Sequence, residues 1–392
     1  MAGHIRRRGA RSWELKFDAG ADSLTGKRKT RYHNFKGTKR DAEIELAKLI
    51  TSAANGGYVD PSKISVAEFI DRWVSDWARG HLSPKTLERY KELLNAHVRP
   101  HLGSKKLQKI KPCDLASFYS ELTQSGRIGR SGPNAGAGLA PVTVAYIHRI
   151  LHRAFGHAVT WGLIAFNPAA SVEPPRAQRK EISILTADQV RDVLTKLRGC
   201  SMYLLAAVGL ATGMRRGELL ALRWKDVDLD NQKLTISRSL EQTNSGLRFK
   251  SPKTKHGRRS ISVAPSIVAE LRAHRRAQAE LRLALGLGKD ADDALVFRRP
   301  DGEPLKPNSV STEWRRLVKK LKLPSVSLHA WRHTHASQLI ASGMDILRIS
   351  RRMGHSSPSI TLDIYGHLFD VNDEQASAVF EDAFGGTLTE QK

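Results

Sequence analysis

Two cysteines, Cys113 and Cys200, are all that 392 residues contain. A pair of thiols builds neither a disulfide framework nor a cysteine-rich zinc site, so the expected setting is a reducing, cytoplasmic one. Long apolar runs are also missing. The longest, Met202 to Met214, falls short of the roughly 20 residues that a bilayer crossing needs and is broken by Gly209 and Gly213. The opening MAGHIRRRGARSWELKFD has positive charge but no apolar segment behind it, which excludes a signal peptide. No Walker GKS or GKT element occurs, so ATP-driven chemistry is not expected. Negative charge is the remaining shortage: 64 Lys and Arg face 39 Asp and Glu, a formal net charge of +25. Such an excess sets partners rather than fold, and nucleic acid is the partner it fits.

What is present is ordinary globular material. With 40% apolar and 26% charged residues, the chain has enough core for two or three domains. Residues 1–60 read as a small sheet plus a helix. Trp13, Leu15 and Phe17 alternate with polar residues, Arg28 to Phe35 forms a further extended run, and Thr38 with Asp41 opens a helix carrying Ala42, Leu46 and Ile50. Arg6, Arg7, Arg8, Arg11, Lys27, Arg28, Lys29 and Arg31 crowd this module, a density that favours DNA contact over a merely solvated face.

After a linker at Gly56-Gly57, residues 64–175 read as helical. Ser83-Pro84 caps a helix with Leu87, Tyr90, Leu94 and Val98 on its inner face. A second helix carries Val144, Ile147, Leu151, Phe155 and Val159, and Asn167-Pro168 stops it. Glu173 to Lys180, stiffened by proline and solvated by charge, marks a boundary. Thr186 with Gln189 then opens the last domain, 183–392, mostly helical with one β insertion. There an extended run spans Leu234 to Leu240, Asn244-Ser245-Gly246 turns, and Leu247 to Val263 supplies two strands around a turn at His256-Gly257.

Four pieces of this last domain stand out as a set. Thr212-Gly213 reads as a helix start, placing Arg215 in a first turn where a cation needs an anionic ligand to justify it, with Glu218 positioned to orient the guanidinium. The basic turn Ser251 to Arg259 carries Lys253 and Lys255. His329 and Arg332, three apart, share a helix face. Gly354-His355 precedes Tyr365 by ten residues. In order and spacing, Arg215 within TGMRRGELL, the HAWR pair, the GH dipeptide and Tyr365 resemble the signature of tyrosine recombinases of the phage-integrase type. The resemblance covers roughly residues 183–370 and departs from the usual pattern at Trp331, where leucine is common. The preceding segments resemble that family's arm-type DNA-binding module (1–60) and helical core-binding domain (64–175).

The resemblance implies a multidomain, mainly α fold with small β elements: an amino-terminal three-stranded sheet plus helix, a helical core-binding domain, and a mixed α/β catalytic domain. It implies a site-specific recombinase of a mobile element or prophage that cuts and rejoins DNA through a 3′-phosphotyrosyl intermediate, with no metal, cofactor or ATP. In that scheme Tyr365 attacks phosphorus and Arg215 and Arg332 grip the non-bridging oxygens. Lys253 protonates the departing 5′-oxygen, His329 assists proton transfer at the tyrosine, and His355 hydrogen-bonds the phosphate. Lys255, two residues on along the same pleat face, is the alternative acid. The implied partners are double-stranded DNA at core and arm sites, further copies of the chain in a tetramer on DNA, a directionality factor and a DNA-bending host protein. An apolar stripe of Ala376, Val379, Phe380 and Phe384 is the segment expected to dock between copies.

Other readings fit less well. His329, His333 and His335 lack HExxH or Cys/His zinc spacing. Asp226, Asp228 and Asp230 begin like a calcium loop, but Asn231 and Ser237 stand where its glycine and glutamate belong. A DNA-binding relic without chemistry should have lost an Arg, His or Tyr of the set, and none is lost. A type IB topoisomerase would have no use for an arm-type module.

Overall fold

The computed structural model describes residues 3–21, 28–54, 57–127, 136–176, 182–252, 257–291, 293–369, 378 and 382. The chain divides into two compact units, Met1–Arg179 and Lys180–Lys392.

In the first unit, β1 (Gly3–Gly9), β2 (Ser12–Ala21) and β3 (Arg28–Lys36) form an antiparallel sheet with β2 in the centre. The alternation in β2 sends Leu15 and Phe17 to one face, where they bury against Ala42 and Leu46 of α1 (Lys39–Ala54). Thr38 and Asp41 cap that helix reciprocally: the Thr38 amide donates to Asp41, and the Asp41 amide to the Thr38 hydroxyl. Arg6, Arg7 and Arg8 remain exposed on β1.

The helices that follow are α2 (Val66–Trp73), α3 (Arg79–His81), α4 (Pro84–Leu93), α5 (Arg99–Leu102), α6 (Pro112–Ser125) and α7 (Pro141–Thr160). Ser65 with Glu68 boxes the start of α2, and Ser83 with Pro84 starts α4. Their inner faces converge on Phe69, Trp73, Leu94, Leu115, Leu122, Ile147, Leu151 and Phe155, all nearly fully buried. The last helix ends earlier than the Asn167-Pro168 stop. Gly162, at φ 67°, turns the chain out just after Trp161, and Asn167 instead caps a short 3-10 turn.

The second unit opens with α8 (Ala187–Leu197), boxed by Thr186 and Gln189, then α9 (Tyr203–Thr212) and α10 (Arg216–Leu219). After β4 (Val227–Asp228), β5 (Lys233–Ile236), β6 (Ser239–Thr243), β7 (Gly246–Lys250) and β8 (Arg259–Ser262) come α11 (Pro265–Ala284), α12 (Pro307–Lys320), α13 (Leu328–Ala341), α14 (Ile346–Met353) and α15 (Pro358–Tyr365). The main core includes Val208, Leu220, Leu234, Leu271, Val296, Trp314 and Trp331. A smaller one, of Ala336, Ile340, Ile349, Met353 and Tyr365, lies among α13, α14 and α15. No helix of the described residues is long and apolar enough to cross a membrane.

Two sequence expectations need correction here. The strands after Asn244-Ser245-Gly246 do not pair with each other: β7 pairs with β6, whereas β8 pairs with β5, so the insertion forms two sheets. Burial decides this, because Leu234 opposite Ile261 closes an apolar face that β7 does not offer. His256, placed in the turn, lies outside the described residues.

Nor is Thr212-Gly213 a helix start. Gly213, at φ 64°, ends α9 with its amide on the Gly209 carbonyl, and Arg215 is the N-cap of α10. A Cβ on Gly213 would come within 2.8 Å of His335 and 3.0 Å of Met353. Gly213→Ala is therefore expected to cost about 1–3 kcal/mol, seen as a lower midpoint of urea unfolding with an unchanged slope.

Candidate active site

The second unit buries a guanidinium without giving it a carboxylate. Arg332 on α13 is only 3% exposed. Its Nη1 donates to the Gly213 carbonyl at 2.8 Å and its Nη2 to the Met353 carbonyl at 2.5 Å. Those oxygens end α9 and α14, where unpaired carbonyls and the negative end of the helix dipole favour a cation. Burial, and then the charge of Arg215, bring the Arg332 pKa down to about 9, which still leaves it protonated at neutral pH.

Arg215 is half-buried. It donates from Nη2 to the Gly354 carbonyl at 3.3 Å and from Nη1 to Glu218 at 2.9 Å. Glu218, 5% exposed, also accepts from Arg259 at 2.9 Å and from the Arg215 amide at 2.9 Å. Burial alone would raise the Glu218 pKa, but the bonds and charge of Arg259, with those of Arg215, outweigh it and hold the carboxyl below its usual range. Three guanidiniums and one carboxylate leave two positive charges unneutralised.

Arg215, His329, Arg332 and His355 line one cleft of about 470 Å³. Lys253 and Lys255 lie outside the described residues, although Pro252 and Gly257 on either side of them both line this cleft. His355 is buried, and its Nδ1 is 2.8 Å from the hydroxyl of fully buried Thr361. A hydroxyl donating to Nδ1 leaves the imidazole proton on Nε2. Burial, then Arg332 and Arg215, bring the His355 pKa down to about 4; the same three influences lower that of His329.

Tyr365 is not among the cleft-lining residues. It is 1% exposed, and its hydroxyl lies 2.7 Å from Nδ1 of His333, within hydrogen-bond reach. Burial pushes its pKa up to about 12. His333, one turn beyond His329 on α13, is brought down to about 4 by burial, then by His329 and Arg332. His335 serves the frame instead: Nδ1 faces the Leu210 carbonyl at 2.9 Å, and Nε2 accepts from Arg352 at 2.9 Å. Trp331 packs edge-on against Trp314, ring centres 4.8 Å apart, so the departure from leucine lies in the core.

Sequence reasoning located Glu218 beside Arg215 but passed over His333, Thr361 and Arg259. The first two carried a signal in their spacing, since His333 follows His329 by one helical turn and Thr361 precedes Tyr365 by one. Arg259 carried none, because its partner Glu218 is 41 residues away.

Residues 183–371 match the phage integrase family, and residues 65–123 match the phage integrase N-terminal SAM-like domain. A tyrosine recombinase XerC-like protein of Caldanaerobacter subterraneus subsp. tengcongensis is 25% identical over 365 residues, covering 88% of this chain and 90% of its own. The ICEBs1 integrase of Bacillus subtilis is 26% identical over 301 residues, 76% and 78% of the two chains. The Tn1549 transposon integrase, solved in complex with transposon right end DNA, superposes with a TM-score of 0.67 at 22% identity, over 82% of this chain and 99% of that one. A lambda integrase tetramer bound to a Holliday junction gives 0.56 at 18% identity, over 94% of each chain. The chain belongs to the phage integrase family of tyrosine recombinases, enzymes that break and rejoin DNA strands.

Two outcomes follow from this geometry. His333, His335 and His355, each brought down to about 4, bind protons more readily once unfolded, near pH 6.5. Their stability contribution is complete above that pH and is lost as pH falls toward 4, by up to ~1.4 kcal/mol per unit for each histidine. Urea unfolding across that range measures it. For the cleft, Thr361→Val is expected to slow single-turnover strand cleavage roughly five- to tenfold, while Thr361→Ser, which keeps the hydroxyl, stays near wild type and DNA affinity is unchanged in both.

Proposed function

We propose that this enzyme is the integrase of a mobile element or prophage, inserting and excising it through a 3′-phosphotyrosyl intermediate formed on Tyr365, without metal or ATP. The observation that carries this reading is the pair Arg215 and Arg332 in one cleft, one of them buried on main-chain carbonyls alone. A carboxylate partner would cancel the charge, whereas carbonyls fix the guanidinium and leave the charge for a ligand. A phosphodiester brings one negative charge, and the pentacoordinate transition state carries two, matching the two positive charges left around Glu218. Each such donor is worth about 10²- to 10³-fold in rate.

Tyr365 Oη forms a bond to phosphorus as the bond to the 5′-oxygen breaks, and that oxygen takes its proton from Lys253. His355 donates from Nε2 to the phosphate, and His329 assists the tyrosine proton. The reverse attack by a 5′-hydroxyl of another strand reseals the DNA, because the tyrosyl link conserves the phosphodiester energy. The lambda integrase tetramer supports a tetrameric assembly here. The exposed Arg6, Arg7 and Arg8 of β1 suit a second, arm-type DNA contact. Base readout is assigned to the two DNA-binding domains, with a directionality factor and a bending protein completing the assembly in the cytoplasm.

A nicked suicide substrate from the border of the encoding element, incubated without metal or ATP, is expected to give a covalent protein–DNA adduct on a denaturing gel. Tyr365→Phe should give none. An adduct that persists in the Phe variant would remove Tyr365 from the mechanism.

A further inference from the structure

We propose that His333 is the resting partner of Tyr365, holding the phenol out of the cleft until DNA engages, and that the phenol leaves this histidine before it attacks. The proposal rests on the role given to Tyr365 above. The hydroxyl lies 2.7 Å from Nδ1 of His333, with the rings 5.6 Å apart at 60°. A phenol donating to Nδ1 requires a neutral imidazole with its proton on Nε2. On its other side His333 meets the ring of His329 edge-on, 4.8 Å between centres.

This arrangement does not activate the tyrosine. A base able to take the phenol proton would need support for its own positive charge, and the groups acting on His333, namely its burial, His329 and Arg332, all oppose one. The phenol is displaced in the opposite direction, toward about 12, by burial. Transfer from Oη to Nδ1 would create an ion pair from a neutral pair in a buried place, and both displacements oppose it. The bond therefore stabilises the protonated, unreactive form.

Position agrees with protonation. Arg215, His329, Arg332 and His355 line the cleft, as do Ile360 and Ile364 of the tyrosine's own helix, but Tyr365 does not. Its ring instead belongs to the small core with Ala336, Ile340, Ile349 and Met353. A core of five buried side chains holds its members less firmly than the main one, so withdrawing this ring is a local event. The charge of Arg332 already favours phenolate where the ring lies, and burial outweighs it there; leaving the core removes that opposition.

Two readouts test this on the full chain. Nitration of Tyr365 by tetranitromethane without DNA, followed by peptide mass spectrometry, reads access and ionisation of the phenol. The single-turnover rate of adduct formation on saturating nicked DNA reads the chemical step. In His333→Ala, nitration is expected to be several-fold faster and adduct formation roughly two- to tenfold faster, the worth of one net hydrogen bond. His333→Asn, which restores a shorter acceptor, should lie between this variant and wild type; it carries the same comparison should the alanine variant fail to bind DNA. Slower adduct formation at unchanged DNA affinity would overturn the proposal, since His333 would then serve the attack itself, and so would unchanged nitration. An adduct surviving in Tyr365→Phe fails the parent reading instead, and the DNA-free nitration result is independent of it.

Discussion

The second unit is organised around the burial of one guanidinium on helix-end carbonyls. Arg332 cannot be buried bare, and the fold supplies oxygen from two helix ends, α9 at Gly213 and α14 at Met353. Both ends are closed by a glycine in the left-handed region, which lets each helix stop where its carbonyls face inward. The same junction places the Gly354 carbonyl on Arg215, and Glu218 then joins Arg215 to Arg259 at the start of β8. Helix ends, hairpin and arginines thus depend on one another. Removing the charge of Arg332 would leave oriented carbonyls unpaired, and altering either glycine would displace the groups that hold the charge.

The parts of the site legible in the sequence are those that chemistry fixes within a few residues. HAWR sits within one turn of α13, and GH followed ten residues later by tyrosine spans the junction of α14 and α15. Both needed only residue type and spacing, and the resemblance they carried led to the right family. Helix caps were legible for the same reason, at Thr38, Ser83 and Thr186. What was not legible runs through the backbone or across long separations. A carbonyl that holds an arginine has no residue identity, so Gly213 read as a helix start when it is a helix end. β5 finds β8 across the whole β6–β7 hairpin, and local alternation could not reveal that pairing.

His333 illustrates a different failure. It was weighed with His329 and His335 only as a metal candidate, and set aside because their spacing fits no metal motif. In the structure the three have separate work: His329 lines the cleft, His333 takes the tyrosine hydroxyl, and His335 bridges Leu210 and Arg352. A cluster of one residue type on one helix invites a single explanation, yet residues 329, 333 and 335 face different neighbours around the helix.

The helix α15 carries Thr361 and, one turn later, Tyr365. The first holds His355 and the second is the nucleophile proposed above, so a single short element carries both. The two are not in the same state: His355 is already anchored in the cleft while the tyrosine is held outside it, so a shift of the whole helix that drew out the phenol would also pull on the anchor of His355. Rotation of the tyrosine side chain alone is the motion that leaves that anchor in place, which divides the labour of the helix between a fixed first turn and a releasable last residue.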